Sequence, residues 1–66
     1  MYYVNVYNAS GLRVAKYEPF SSLSSARVFS TELLKDREYR GHQAEVFCKH
    51  KPHDVSMNVH YSEAYK

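Results

Sequence analysis

An α+β domain with a single helix, its elements ordered β-β-α-β-β, is what three features of this 66-residue chain predict. Two stretches of alternating apolar and polar residues flank a turn-forming tetrad near the start. A central stretch then changes to helical spacing between serines and a glycine. Two further strand-like runs follow, split by a proline turn. The chain is too short for more than one hydrophobic core. Its seven Tyr and three Phe argue against disorder, because chains that stay unfolded are poor in aromatic and β-branched residues.

Tyr2-Tyr3-Val4-Asn5-Val6-Tyr7 is rich in strand formers, with Val4 and Val6 on one face. Asn8-Ala9-Ser10-Gly11 supplies the turn, and Leu12-Arg13-Val14-Ala15-Lys16-Tyr17 alternates again, completing a hairpin. Glu18-Pro19-Phe20 ends the second strand, since proline cannot continue a ladder. Ser21 or Ser22 is placed to cap a helix whose apolar stripe is Leu23, Ala26, Phe29 and Leu33. Gly41 sets the helix end near Arg40. Ala44–Lys49 reads as the third strand, Lys51-Pro52-His53-Asp54 as a turn, and Val55–Tyr61 as the fourth strand. The tail 62–66 reads as frayed, and residues 1–66 form one domain.

A right-handed crossover through the helix makes the second and third strands parallel to each other. With the first strand between them, the sheet takes the order 2-1-3-4 and is antiparallel throughout. One helix can cover only one face. Alternation puts Val4, Val6, Leu12, Val14, Val46, Cys48, Val55, Met57 and Val59 beneath it. The other face then carries Tyr3, Asn5, Tyr7, Arg13, Ala15, Tyr17, Glu45, Phe47, Lys49, Ser56, Asn58 and His60. Half-solvated sheets normally read polar on the outer side, so the aromatics Tyr3, Tyr7, Tyr17 and Phe47 mark this face as a docking surface for a protein or a second copy. The same aromatics, with Lys49, would also suit stacking of unpaired bases, and plain strand propensity accounts for them too.

The net charge of +2 falls short of the footprint of a dedicated nucleic-acid binder and excludes an acidic DNA mimic. Basic residues gather at two poles. Arg37, Arg40 and His42 lie at the helix end, where cations suit the helix dipole, with Arg13 nearby; Lys49, His50, Lys51 and His53 lie at the second hairpin. Cys48, His50, His53 and His60 raise the idea of zinc. Alternation, however, sends Cys48 and His60 to opposite faces, where they cannot complete a tetrahedron. No metal, cofactor or small-molecule substrate is expected. No Gly-rich phosphate loop, carboxylate pair or nucleophile elbow appears, so an enzyme is not expected either. A lone cysteine, no secretory pattern and no stretch long enough to span a bilayer fit the cytoplasm of a cell, with no membrane contact.

The segment Ser22-Leu23-Ser24-Ser25-Ala26-Arg27, followed by Gly41 and a strand from Ala44, resembles small phage-encoded inhibitors, namely type I-F anti-CRISPR proteins built from hairpins and one helix. The resemblance implies a phage or mobile-element accessory protein in the host cytoplasm. Such a protein inhibits a host protein or ribonucleoprotein complex by stoichiometric binding. It carries over no functional residue by position. The contact residues expected from the reading of the chain are Tyr3, Tyr7, Arg13, Tyr17, Arg37, Arg40, Phe47, Lys49, Lys51 and His60. The alternative is a small RNA or single-stranded-DNA binder acting through the open sheet face.

Overall fold

The computed structural model describes residues 1–61; the tail 62–66, expected to fray, lies outside the described residues. Strands β1 (Tyr2–Tyr7) and β2 (Arg13–Phe20) form the first hairpin, and helix α1 (Leu23–Leu33) follows. A short 3-10 turn (Arg37–Tyr39) then leads into β3 (Gln43–Cys48) and β4 (Val55–Tyr61). The sheet order is β2-β1-β3-β4 and every neighbouring pair is antiparallel, as the crossover argument requires.

Local chemistry explains the turns. Asn8 Oδ1 accepts from the backbone N–H groups of Ser10 and Leu12, at 2.9 and 3.0 Å, and closes the first hairpin. Gly11 takes the positive φ of 84° that this loop needs and that a side chain would resist. At the start of α1, the Ser22 hydroxyl accepts from the Ser25 N–H at 3.1 Å, satisfying one orphan donor of the first turn.

The helix is shorter than its sequence suggests. It ends at Leu33 rather than near Arg40. The N–H of Asp36 bonds back to the Leu33 carbonyl, and the Asp36 carboxylate accepts from the Glu38 N–H at 3.0 Å, starting a separate 3-10 turn. An Asp that can cap a new turn competes with continuation of the old helix. Arg37 and Arg40 therefore do not sit at the end of α1, and the helix-dipole account of them falls away.

The core is built of small side chains: Val4, Val6, Ala26, Ala44 and Val46 are fully buried, with Leu34 nearly so. Around it pack Tyr2, Ala15, Tyr17, Phe20, Leu23, Phe29, Leu33 and Tyr39. Ser30 is also fully buried, and its hydroxyl donates to the Ala26 carbonyl at 2.8 Å, so the polar group costs little.

Strict alternation fails in two strands. In β2 the residues beneath the helix are Ala15 and Tyr17, paired with Val6 and Val4; Leu12 and Val14 are 65% and 50% exposed. A register shift between Val6 and Tyr7 absorbs one residue and changes the phase. In β4 a second shift opposite Val46 and Phe47 has the same effect: Asn58 and His60 share the face of Val46 and Ala44, whereas Val59 stands opposite Glu45 on the open side. Val55, Met57 and Val59, expected inside, remain 41–43% exposed.

This phase is testable by urea unfolding. Tyr17→Ala should cost about 3 kcal/mol through loss of packed aromatic area. Val14→Ser should change stability by no more than about 0.5 kcal/mol, as at other exposed positions. The opposite ranking would place Val14 in the core.

Candidate functional site

The open face is less open than one helix-free side implies. Tyr3, at its centre, is only 7% exposed. Its ring stacks on Phe47 from the neighbouring strand, with centroids 5.2 Å apart and planes 14° from parallel. The Lys16 ammonium sits 4.6 Å above the ring and that of Lys49 lies 6.0 Å away. The Tyr3 hydroxyl donates to Asp54, which reaches in from the β3–β4 loop. Glu18 ties the two lysines together, at 3.1 Å to Lys49 and 3.7 Å to Lys16. Lysine stems and ion pairs thus roof the aromatic pair.

The electrostatics follow from this arrangement. Burial, then the hydrogen bond to Asp54, pushes the Tyr3 phenol up to about 12. Asp54 is held below the usual carboxylate range, first by the Tyr3 hydroxyl and then by the His50 backbone N–H. Glu18 is lowered mainly by its hydrogen bond from Lys49, with Lys16 adding to the effect. Glu45 lies on the same face and accepts from the Ser56 hydroxyl. Three carboxylates therefore answer two ammonium groups across this surface.

The expected contact residues divide into separate groups. Tyr3 is sealed, while Tyr7 and Phe47 remain half-buried on the open face. Tyr17 is not on that face. It lies under α1, edge-on to Phe29 at 4.9 Å, with its hydroxyl 2.7 Å from that of Tyr39. That bond, before burial, raises Tyr39 to about 12. His60 is likewise on the helix side, beside Arg27. Lys49 and Lys51 are exposed at the β3–β4 end. Arg13, Arg37 and Arg40 are exposed at the opposite end, where Tyr7 is paired with both Arg13 and Gln43.

That second end adds features that alternation concealed. Leu12 and Val14 flank Arg13 as exposed apolar side chains, and at the same end of the sheet a cleft of about 280 Å³ is lined by Tyr7, Asn8, Ala9, Gly11, Gln43 and Glu45. A bulge cannot be read from residue types, so alternation alone places these two apolar groups in the core.

Register also revises the metal argument. Cys48 and His60 lie on the same side of the sheet, not on opposite faces. They are separated by the length of β3, because Cys48 pairs with Val55 and Ala44 with His60. Among the described residues no three His, Cys, Asp or Glu side chains gather into a metal-binding group. Among the described residues no helix is long and apolar enough to cross a membrane. Comparison with protein-family models, with curated proteins and with solved structures found no match.

Two pH effects should follow. A phenol raised in the folded state stabilises the fold fully below its unfolded value of 10 and loses that contribution as pH climbs to about 12. Tyr3→Phe should cost about 1 kcal/mol at neutral pH by removing the donor to Asp54. It should also lose less stability than the wild type between pH 10 and 12, measured by urea midpoints; an unchanged alkaline slope would contradict the Tyr3 assignment. His60 is lowered by burial and then by Arg27. Its contribution is therefore present above its unfolded value of 6.5 and fades as pH falls below it. Its imidazole resonances in an NMR titration should move below pH 6.5, and a midpoint above 6.5 would rule this out.

Proposed function

We propose that this protein works by stoichiometric docking on a protein partner, as a small phage or mobile-element accessory protein that inhibits a host factor in the cytoplasm. A CRISPR effector complex is the partner class that the resemblance implies. The observation that carries the docking reading is the hairpin end. Leu12 and Val14 stand 65% and 50% exposed around Arg13, and Arg37 and Arg40 lie at the same end of the sheet. Large apolar groups held in water cost solvation that a partner can recover, and arginine beside them suits an acidic rim. Asn8 and Gly11 fix the hairpin loop, which reduces the ordering cost of binding.

The roofed aromatic pair weighs against base stacking on the open face. Tyr3 presents little ring to a ligand, and the surrounding carboxylates outnumber the lysines.

The test is capture of a host complex from bacterial lysate by tagged wild-type protein and by a Leu12→Asp, Val14→Asp double variant. Both positions are exposed, so the variant should keep its urea midpoint while recovery falls at least about tenfold, the scale of one hot-spot loss. Equal recovery by both proteins would sink the assignment of this surface. Oligonucleotide titration at two salt concentrations supplies the other arm: affinity falling steeply with salt would move the protein to the nucleic-acid class.

A further inference from the structure

The two outer strands of the sheet are unlike each other. β2 carries Arg13, Lys16, Glu18 and Pro19, the charges and proline by which proteins keep an edge from pairing. β4, Val55-Ser56-Met57-Asn58-Val59-His60-Tyr61, has no Asp, Glu, Lys, Arg or Pro. It is the outer strand on its side among the described residues, and Val55, Met57 and Val59 are 41–43% exposed along it. We propose that β4 pairs antiparallel with β4 of a second copy across a two-fold axis at Val59, making one continuous eight-stranded sheet.

Register narrows the choice of axis. The irregularity in β4 falls at Met57, skipped between the partners of Val46 and Phe47, so regular alternation is confined to Asn58–Tyr61. A two-fold at Val59 keeps that segment in phase. Val59 meets its own copy on the open side and Asn58 meets His60 on the helix side, with the bulged Met57 left at the margin. An axis at Asn58 would instead set Ser56, which faces the open side, against His60, which faces the helix. The chosen register also sets Asn58 of one copy beside His60 of the other on the helix side.

Edge pairing over so short a stretch, about 10 Å of strand, is too small alone for a stable interface, which needs roughly 1,000 Å². The remainder is available beside it. A groove of about 290 Å³ runs between α1 and β4, lined by Ser24, Arg27, Val28, Thr31, Glu32 and His60, and Val28 is 61% exposed in it. Across the two-fold the helices run antiparallel. Arg27, near the start of α1, then approaches Glu32 near the end of the other copy. The two charges are opposite in that approach, and Glu32, 3.4 Å from Lys35 of its own helix, gains a second cationic partner there. This interface lies on the opposite edge from Arg13 and Val14 and does not depend on the docking role proposed for them.

Sedimentation velocity of the wild type at about 100 µM should show a dimer, the range in which interfaces of this size persist. Val59→Lys should make it monomeric, as should Met57→Lys; both sites are exposed, so circular dichroism and the urea midpoint should stay close to wild type. Arg27→Glu should weaken association about tenfold, and the Arg27→Glu, Glu32→Arg double variant should restore it. Lys16→Glu, on the protected edge, should leave the dimer intact. A monomeric wild type at that concentration would overturn the proposal. So would a dimer that survives Val59→Lys, or one lost on Lys16→Glu.

Discussion

Close approach of one helix to one sheet is the constraint on which the rest of this molecule depends. Val4, Val6, Ala44 and Val46 supply the sheet side of the contact, and Ala26 and Ser30 supply the helix side; all six are fully buried. Small residues let an eleven-residue helix sit low on the strands, where van der Waals contact is densest. They also limit how much apolar area the centre can remove from water. The larger share must come from the margin, and there Tyr17, Phe20, Phe29 and Tyr39 close around the core.

That demand explains which predictions the sequence could support. The hairpins, the sheet order and the Ser22 cap follow from local signals: turn-forming residues, strand propensity and a hydroxyl before a helical stripe. The inward and outward faces of β2 and β4 do not, because bulges near Val6–Tyr7 and Val46–Phe47 reset parity at points that no residue type announces. Alternation counted Val14 and Val59 as core because each lies in phase with other valines. The fold instead buries Tyr17, whose ring offers more apolar area than Val14 and whose hydroxyl finds Tyr39. The end of α1 was hidden for a related reason. Asp36 can cap a new turn, and nothing between Leu34 and Gly41 distinguishes a continuing helix from a restarted one until the Asp36 and Glu38 contact is seen.

The same shifts of parity reshape the candidate site. A sheet face bearing four aromatics became one bearing Tyr3, Tyr7 and Phe47, with Tyr3 roofed by Lys16, Lys49 and Asp54. The roof serves stability: it satisfies a buried phenol and shields a stacked pair that would otherwise contact water. A surface so occupied resists a ligand, because a base or side chain stacking there must first displace paired ions. Arg13 stays on the open face opposite Tyr7, and the displaced Leu12 and Val14 emerge around it.

The contrast between the outer strands can be read in the same terms. An unpaired edge exposes backbone donors and acceptors, and β2 guards its own with Lys16, Glu18 and Pro19. Those charges also serve the open face, where Lys16 and Glu18 complete the roof over Tyr3. β4 has neither duty. Its register shift leaves Val59 facing outward beside Glu45, and the helix covers only the far side of His60, leaving a groove rather than a seal. A strand with no charge, exposed valines and an adjoining groove lined by one cation and one carboxylate has the properties of an interface strand rather than of a guarded edge. The helix packs mainly on β1 and β3, and of the two edges left outside it only β4 lacks the charges and proline that guard β2.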